Sequence, residues 1–320
     1  MQRRAVITMF GGSAIAPGIA HAQPTYPDRP IRIIVPFAAG GSGDITARLV
    51  AQHIEARGGQ PVVVDNRPGA NGVIGCMAVK QAAPDGYTLL LATTSTHAAN
   101  PSLIRNLPYD PDRDFATVGV FGNGGSYLLV RPESPWRRVA ELVSAAREAP
   151  GRLNFGYFNA SSRVPAELLN HMADIRTTGV PYRVVSNAFI DLFADRLQVI
   201  FADTAAGDSY VANGQVRVLA VTRALRWDRH PNVPAMSEFF PGFVMGGFLG
   251  LAAPAGVPQP ILQRLNDWVN EAILRPPMQP RLEEFGFTPR AMTLVEVAAL
   301  VRGERETYAR IARLAGIEPE

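Results

Sequence analysis

The stretch YPDRPIRIIVPFAAGGSGDITAR, residues 26–48, decides how the chain is read. A short apolar run, residues 31–35, stops at Pro36 and Phe37. Small residues fill positions 38–43, and the polar Asp44 then opens a helical pattern. The order is strand, backbone-exposing loop, helix start. Small residues let a ligand approach the main chain closely. The start of a helix carries N–H groups that its own backbone leaves unbonded, so the arrangement can hold an anion. The loop is not a nucleotide cradle, because no Gly-Lys-Ser/Thr ends it and Gly40, Gly41 and Gly43 lack the dinucleotide spacing. A plain tight turn between strand and helix fits the composition equally well.

Residues 1–22 read as an export signal. Arg3 and Arg4 form a basic start, residues 5–19 are small and apolar, and Ala20-His21-Ala22 satisfies the small-x-small cleavage rule. The mature chain is expected to begin at Gln23 and to be a soluble periplasmic protein, since no later stretch is long and apolar enough to span a bilayer. The formal net charge is +3. Removal of Arg3 and Arg4 brings it near neutrality, and no Lys/Arg patch points to nucleic acid. Cys76 is the 1 cysteine of the chain. It excludes an intramolecular disulfide and reads as a small buried apolar residue. The roughly 300 residues left exceed one ordinary core and suggest two lobes.

Strand-like and helix-like patterns alternate through the chain, which implies mostly parallel sheets flanked by helices, an α/β fold. Residues 62–64 and 87–92 read as strands, the latter running into a hydroxyl cluster of Thr93, Thr94, Ser95 and Thr96. Residues 100–114 read as a long loop. Further strands are expected at 153–157, 180–182, 199–202 and 216–221, with helices from Pro165 and from Ala188. Ser134-Pro135 predicts a helix start, and Thr293-Leu294-Val295-Glu296 matches a capping box. Glycine breaks at 122–125 and 246–253 mark two crossings between lobes. The expected division is 23–122 with 249–320 as the first lobe and 123–248 as the second.

In open α/β sheets, ligands sit beyond the carboxyl ends of strands. Residues 38–43 and the hydroxyl cluster therefore share one rim. His97 adjoins that cluster and is the one histidine kept as a rim candidate. Asp44, Asp65, Asp85 and Asp203 follow strands or turns and read as caps. There is no nucleophile elbow, no paired metal-ligand spacing and no motif for a cofactor. Nothing positive supports an enzyme.

Several motifs then carry a specific resemblance. Tyr26-Pro27-x-x-Pro30-Ile31, Val35-Pro36-Phe37-x-x-Gly40-Gly41-x-x-Asp44, Val64-x-Asn66-Arg67-Pro68-Gly69-Ala70 and Ala83-Pro84-Asp85-Gly86-Tyr87-Thr88-Leu89-Leu90 resemble the Bug family. Its members are periplasmic substrate-binding proteins of tripartite tricarboxylate transporters. Leu107-Pro108-Tyr109-Asp110, Leu219-Ala220-Val221-Thr222, Asn232-Val233-Pro234 and Ala252-Ala253-Pro254-Ala255-Gly256 extend the match across the mature chain. The resemblance implies a two-lobed, hinge-closing fold of the type II periplasmic binding class. It implies a small organic acid as ligand (a di- or tricarboxylate, an acidic amino acid or an aromatic acid), held between the lobes by backbone amides, hydroxyls and bridging waters. It also implies delivery to transporter membrane subunits, with no cofactor. A monomer is expected, because delivery needs both lobe faces free.

By position, the first-lobe contacts are Phe37, Ala38, Ala39, Gly40, Gly41 and Asp44, with Thr93, Thr94 and Ser95. The second lobe departs from the family pattern. Its loop reads Gly156-Tyr157-Phe158-Asn159-Ala160-Ser161-Ser162-Arg163, Pro-Tyr-Lys-Gly becomes Pro181-Tyr182-Arg183-Val184, and Phe-Asp-Ser becomes Phe201-Ala202-Asp203-Thr204. The candidates there are Tyr157, Phe158, Asn159, Ser161, Ser162, Tyr182 and Asp203. Two other functions use the same closure or cleft: a ligand-dependent sensor for a signalling receptor, and an exported enzyme.

Overall fold

The run Ile31–Val35 is apolar almost without a break because both of its faces are covered. Ile31, Ile33 and Val35 pack with Val50 and Ile54 of the helix Ser42–Gly58 and with Leu265 and Trp268 of the helix Gln259–Ile273. Ile34 points the other way, into a cluster with Cys76, Val79 and Leu90. A strand sandwiched between helix layers loses the alternation that a half-exposed strand shows. The computed structural model describes residues 26–319; the expected leader, residues 1–22, lies outside them.

Among the described residues the strands are β1 Ile31–Val35, β2 Val62–Asn66, β3 Thr88–Thr93, β4 Phe115–Gly124, β5 Ser126–Val130, β6 Asn154–Tyr157, β7 Thr178–Pro181, β8 Val199–Asp203, β9 Arg217–Val221 and β10 Gly247–Pro254. They form two five-stranded sheets, β2-β1-β3-β10-β4 and β7-β6-β8-β5-β9. The two orders are one topology used twice. In each sheet four strands share a direction and one opposes them, β10 in the first and β5 in the second. The opposed strand is in each case the one that has just arrived from the other sheet. The aligned strands end at the gap between the sheets, so a chain crossing that gap enters at the same edge and must run away from it. The expected mostly parallel sheets are thus found, each with one antiparallel strand that the crossing makes necessary.

The crossings are tied together by Thr222, fully buried just after β9. Its Oγ1 accepts from the Ser126 amide at 2.9 Å and donates to the Met245 carbonyl at 2.9 Å. Its own amide donates to Ser126 O and its carbonyl accepts from the Met245 amide. One threonine therefore bonds both segments that connect the sheets. The helix Leu294–Leu314 spans the same junction, packing on β4 and on the helix Ala160–Ala173. Carbonyls at the end of the helix Met278–Glu284 add a second junction. Glu284 O accepts from Arg229 at 2.6 Å, Gly286 O from Arg223 at 2.6 Å, and Phe285 O from the Thr204 hydroxyl.

Three local expectations need correction. Ser134-Pro135 does not start a helix; the helix is Val139–Glu148. The Arg217 guanidinium takes the carbonyls of Pro132, Ser134 and Trp136, so that segment is held as a turn. The helix expected from Pro165 begins earlier, at Ala160, with Asn159 as its cap. Residues 100–114 are not all loop, since Asn100–Leu103 and Pro111–Asp114 each form one helical turn. The capping box at Thr293 is present: Thr293 Oγ1 accepts from the Glu296 amide at 3.3 Å, and Glu296 Oε2 accepts from the Thr293 amide at 2.8 Å.

Replacing Thr222 by Val keeps the shape and leaves two buried backbone groups without their partner. Equilibrium urea unfolding is expected to show Thr222→Val destabilised by about 2–4 kcal/mol, and Thr222→Ser by under about 1 kcal/mol. An unchanged midpoint for Thr222→Val contradicts the assignment of Thr222 as the tie between crossings.

Candidate functional site

Strand ends from both sheets converge on one cavity of about 390 Å³. Its first-sheet wall is residues 37–44, which follow β1, and residues 93–95, at the end of β3. Gly40, at φ 88°, makes the turn that aims this loop at the gap, a conformation glycine adopts without strain. The helix Ser42–Gly58 starts with Gly41 as its N-cap, and no side chain caps it. The amides of Ser42, Gly43 and Asp44 therefore border the cavity with no intrahelical acceptor.

Asp44 holds this loop in shape rather than offering a free charge. Its Oδ2 accepts from the Gly40 amide at 3.0 Å and from Arg48 Nε at 3.2 Å, and Arg48 Nη2 lies 2.9 Å from Oδ1. Asn66 links the network back to β2, donating to Phe37 O at 3.1 Å and accepting from Arg48 at 3.2 Å. Burial opposes ionisation of Asp44, but the Arg48 and Gly40 hydrogen bonds outweigh it and keep the carboxyl below its ordinary 3.8.

The hydroxyl cluster divides its labour. Thr93 and Thr96 bond each other, with Oγ1 to Oγ1 at 3.3 Å and the Thr96 amide to Thr93 Oγ1 at 3.3 Å. Thr94 Oγ1 accepts from the Phe248 amide at 2.6 Å and so fixes the start of β10. Ser95, buried and on the cavity wall, has no side-chain hydrogen bond among the described residues, which leaves its hydroxyl for a ligand. His97 is not a rim residue. It is fully buried, its Nδ1 lies 3.0 Å from Thr96 Oγ1, and burial with Arg305 nearby pushes its imidazole down to about 3, so it is neutral.

The second-sheet wall consists of Phe158, Asn159 and Ser161 after β6, residues 183–186 after β7, and Asp203 with Ala206 at and beyond the end of β8. Three helices begin here. Asn159 Oδ1 caps one by accepting from the Ser162 amide at 3.0 Å. Asp203 Oδ1 caps another by accepting from the Ala206 amide at 2.9 Å. The third, Val185–Phe193, begins at Val184 with no side-chain cap. The cavity thus meets two uncapped helix N-termini, Ser42 from one sheet and Val185 from the other. Burial raises the Asp203 pKa, and the Ala206 amide works against that rise.

Of the expected site residues, Phe37, Ala38, Ala39, Gly40, Gly41, Asp44, Thr93, Thr94, Ser95, Phe158, Asn159, Ser161 and Asp203 line the cavity. Tyr157, Ser162 and Tyr182 do not. The Tyr157 ring packs beside Phe155 with Arg163 stacked over it. Ser162 is fully buried in the cap, its Oγ accepting from the amides of Phe158 and Asn159. The Tyr182 hydroxyl donates to Asp191 at 2.6 Å and turns the ring onto the helix Val185–Phe193. Ser42 and Gly43, part of the loop expected at the rim, line it as well, and Gly124, Gly125, Ser126, Arg183, Val184, Val185, Ser186, Ala206, Gly246, Gly247, Phe248, Leu249 and Phe287 line it without having been expected there. The glycine breaks carried the signal for several of them, since a crossing between sheets necessarily forms the cavity floor.

The folded-state pKa of Asp44 lies below its unfolded value. Its contribution to stability is therefore full above the unfolded pKa and is lost as pH falls through the folded one. The stability gap between wild type and Asp44→Asn is expected to stay flat above about pH 5 and to shrink as pH drops below 3.8. Urea unfolding across that range reads it directly; a gap unchanged down to about pH 2 contradicts the role given to Asp44.

Comparison with known proteins agrees with this architecture. A sequence model of the tripartite tricarboxylate transporter family receptor matches residues 46–317. BugT of Bordetella pertussis is 33% identical over 320 residues, covering 98% of this chain and 97% of BugT. A solved structure of an R. palustris protein with adipate superposes with a TM-score of 0.87 at 31% identity, over 92% of this chain and 100% of that one. MatC from Rhodopseudomonas palustris with bound malate gives 0.83 at 30% identity, over 89% of this chain and 99% of MatC. The chain belongs to the Bug family, the receptors of tripartite tricarboxylate transporters.

Proposed function

We propose that this protein is an extracytoplasmic receptor that captures a small organic carboxylate in the cavity between its sheets and hands it to transporter membrane subunits. The observation that carries the reading is the pair of uncapped helix N-termini, one from each sheet, that open on one cavity. Helix N-termini present free N–H donors and the positive end of the macrodipole, which suits an anion. A carboxylate held by neutral donors and by the Ser95 hydroxyl needs no buried cation. Contacts from both sheets reward the closed arrangement over the open one, which is the differential affinity that capture requires. Phe37, Phe158, Phe248 and Phe287 supply an apolar lining for the body of the acid. The adipate and malate of the two similar structures are of this chemical class.

The lobes that close are residues 23–122 with 249–320, and 123–248, pivoting at the crossings that Thr222 ties. Residues 1–22 direct export and are removed after Ala22. The receptor acts as a monomer. Among the described residues no helix is long and apolar enough to cross a membrane, which agrees with a receptor that meets its transporter from outside the bilayer.

Isothermal calorimetry of residues 23–320 against a panel of mono-, di- and tricarboxylates tests the reading. At least one acid is expected to bind saturably with micromolar affinity and without turnover. Ser95→Ala is expected to weaken that acid by about 1 kcal/mol, roughly fivefold. No binding across the panel overturns the proposal. Export is tested by N-terminal sequencing of the periplasmic protein, with Gln23 as the expected first residue.

A further inference from the structure

Two acidic side chains line the cavity, and only one of them is met by a cation. Asp44 is met by Arg48, the Gly40 amide and the Asn66 network. Asp203 uses Oδ1 to cap the Ala206 amide at 2.9 Å. Its carboxyl also accepts from its own amide, and among the described residues no Lys, Arg or His forms an ion pair with it. Asp203 is paired with Ser126 in the β5–β8 ladder, immediately beyond Gly125, which puts it at the crossing where the sheets face each other. Arg183 borders the same cavity and forms no ion pair with it.

A carboxylate ligand closed into this cavity lies near a second carboxyl that no cation accompanies, in surroundings where charges are poorly screened. The conflict disappears if the ligand carries its own cation. We propose that Asp203 is a specificity-determining residue whose carboxylate reads a protonated amine, so that the receptor prefers a carboxylate bearing an ammonium group over the same acid without one. The inference rests on the carboxylate reading above and adds to it the polarity of the ligand's second group. The first-sheet amides and Ser95 take the carboxylate, and Asp203 takes the ammonium. The burial that disfavours ionised Asp203 in the empty cavity is relieved by that ammonium.

Calorimetry on wild type and Asp203→Asn, with matched ligands, tests the proposal: L-aspartate against succinate, L-glutamate against glutarate, and L-phenylalanine against 3-phenylpropionate. Asparagine retains an oxygen for the Ala206 amide, so the cap and the fold are kept, which thermal unfolding checks. The expected result is that in at least one pair the amino acid binds wild type tenfold or more tightly than its deaminated partner. Asp203→Asn is expected to abolish that preference while leaving the deaminated acid unchanged or tighter. The proposal is overturned if the plain acids bind wild type as tightly as their amino partners in every pair, which means Asp203 is protonated and donates instead. It is also overturned if a preference for the amine survives Asp203→Asn. Failure of every ligand to bind overturns the carboxylate reading itself, and this inference with it.

Discussion

The first turn of an α-helix contains amides that no carbonyl of the same helix can reach, and something outside the helix has to bond them. In this protein two helices, Ser42–Gly58 and Val185–Phe193, start without a capping side chain, and both start at the wall of one cavity. The neighbouring helices at the same wall are capped, by Asn159 and by Asp203. At this wall, then, two helix starts have their amides taken by a side chain and two do not. The loop that delivers the Ser42 helix is held by Asp44, Arg48 and Asn66, so its donors are fixed before any ligand arrives. Donors fixed in advance lose little freedom on binding, which is how neutral groups can hold an anion well.

The repeated strand order explains how two lobes come to share this site. Aligned strands of both sheets end at the gap, and the loops and helix starts that follow β1, β3, β6, β7 and β8 all face it. The chain crosses at Gly125 and again just before β10, and Thr222 bonds the two crossings to each other. Gly125 has to be small there, since a Cβ would stand 2.6 Å from Arg223 Cγ. The junction is thus narrow and hydrogen-bonded, while the helix Leu294–Leu314 braces it from one side.

Much of this was legible in residues 26–48 alone: strand, loop and helix follow from them, and the loop does line the cavity. The crossings were legible from glycine, and the Thr293 cap from its Glu296 partner. Failures came where a distant residue overrode a local signal. Ser134-Pro135 has good starting chemistry for a helix, but Arg217 occupies the carbonyls a helix needs. Tyr157 and Tyr182 follow the same logic as Phe158, yet Arg163 and Asp191 draw them off the cavity. The helices Thr204–Ala212 and Met278–Glu284 were not anticipated because each is short and carries no clear apolar stripe. The division of the hydroxyl cluster into structural Thr93, Thr94 and Thr96 and available Ser95 depends on Phe248, which reaches the cluster only through the fold.

The central claim is that main-chain amides of the first lobe hold the acid. Amide hydrogen exchange, resolved by residue with and without a saturating carboxylate, tests it most directly. Slowed exchange at Ser42, Gly43 and Asp44 on ligand addition is the predicted result. Protection confined to other segments, with these three amides exchanging as fast as before, would contradict it.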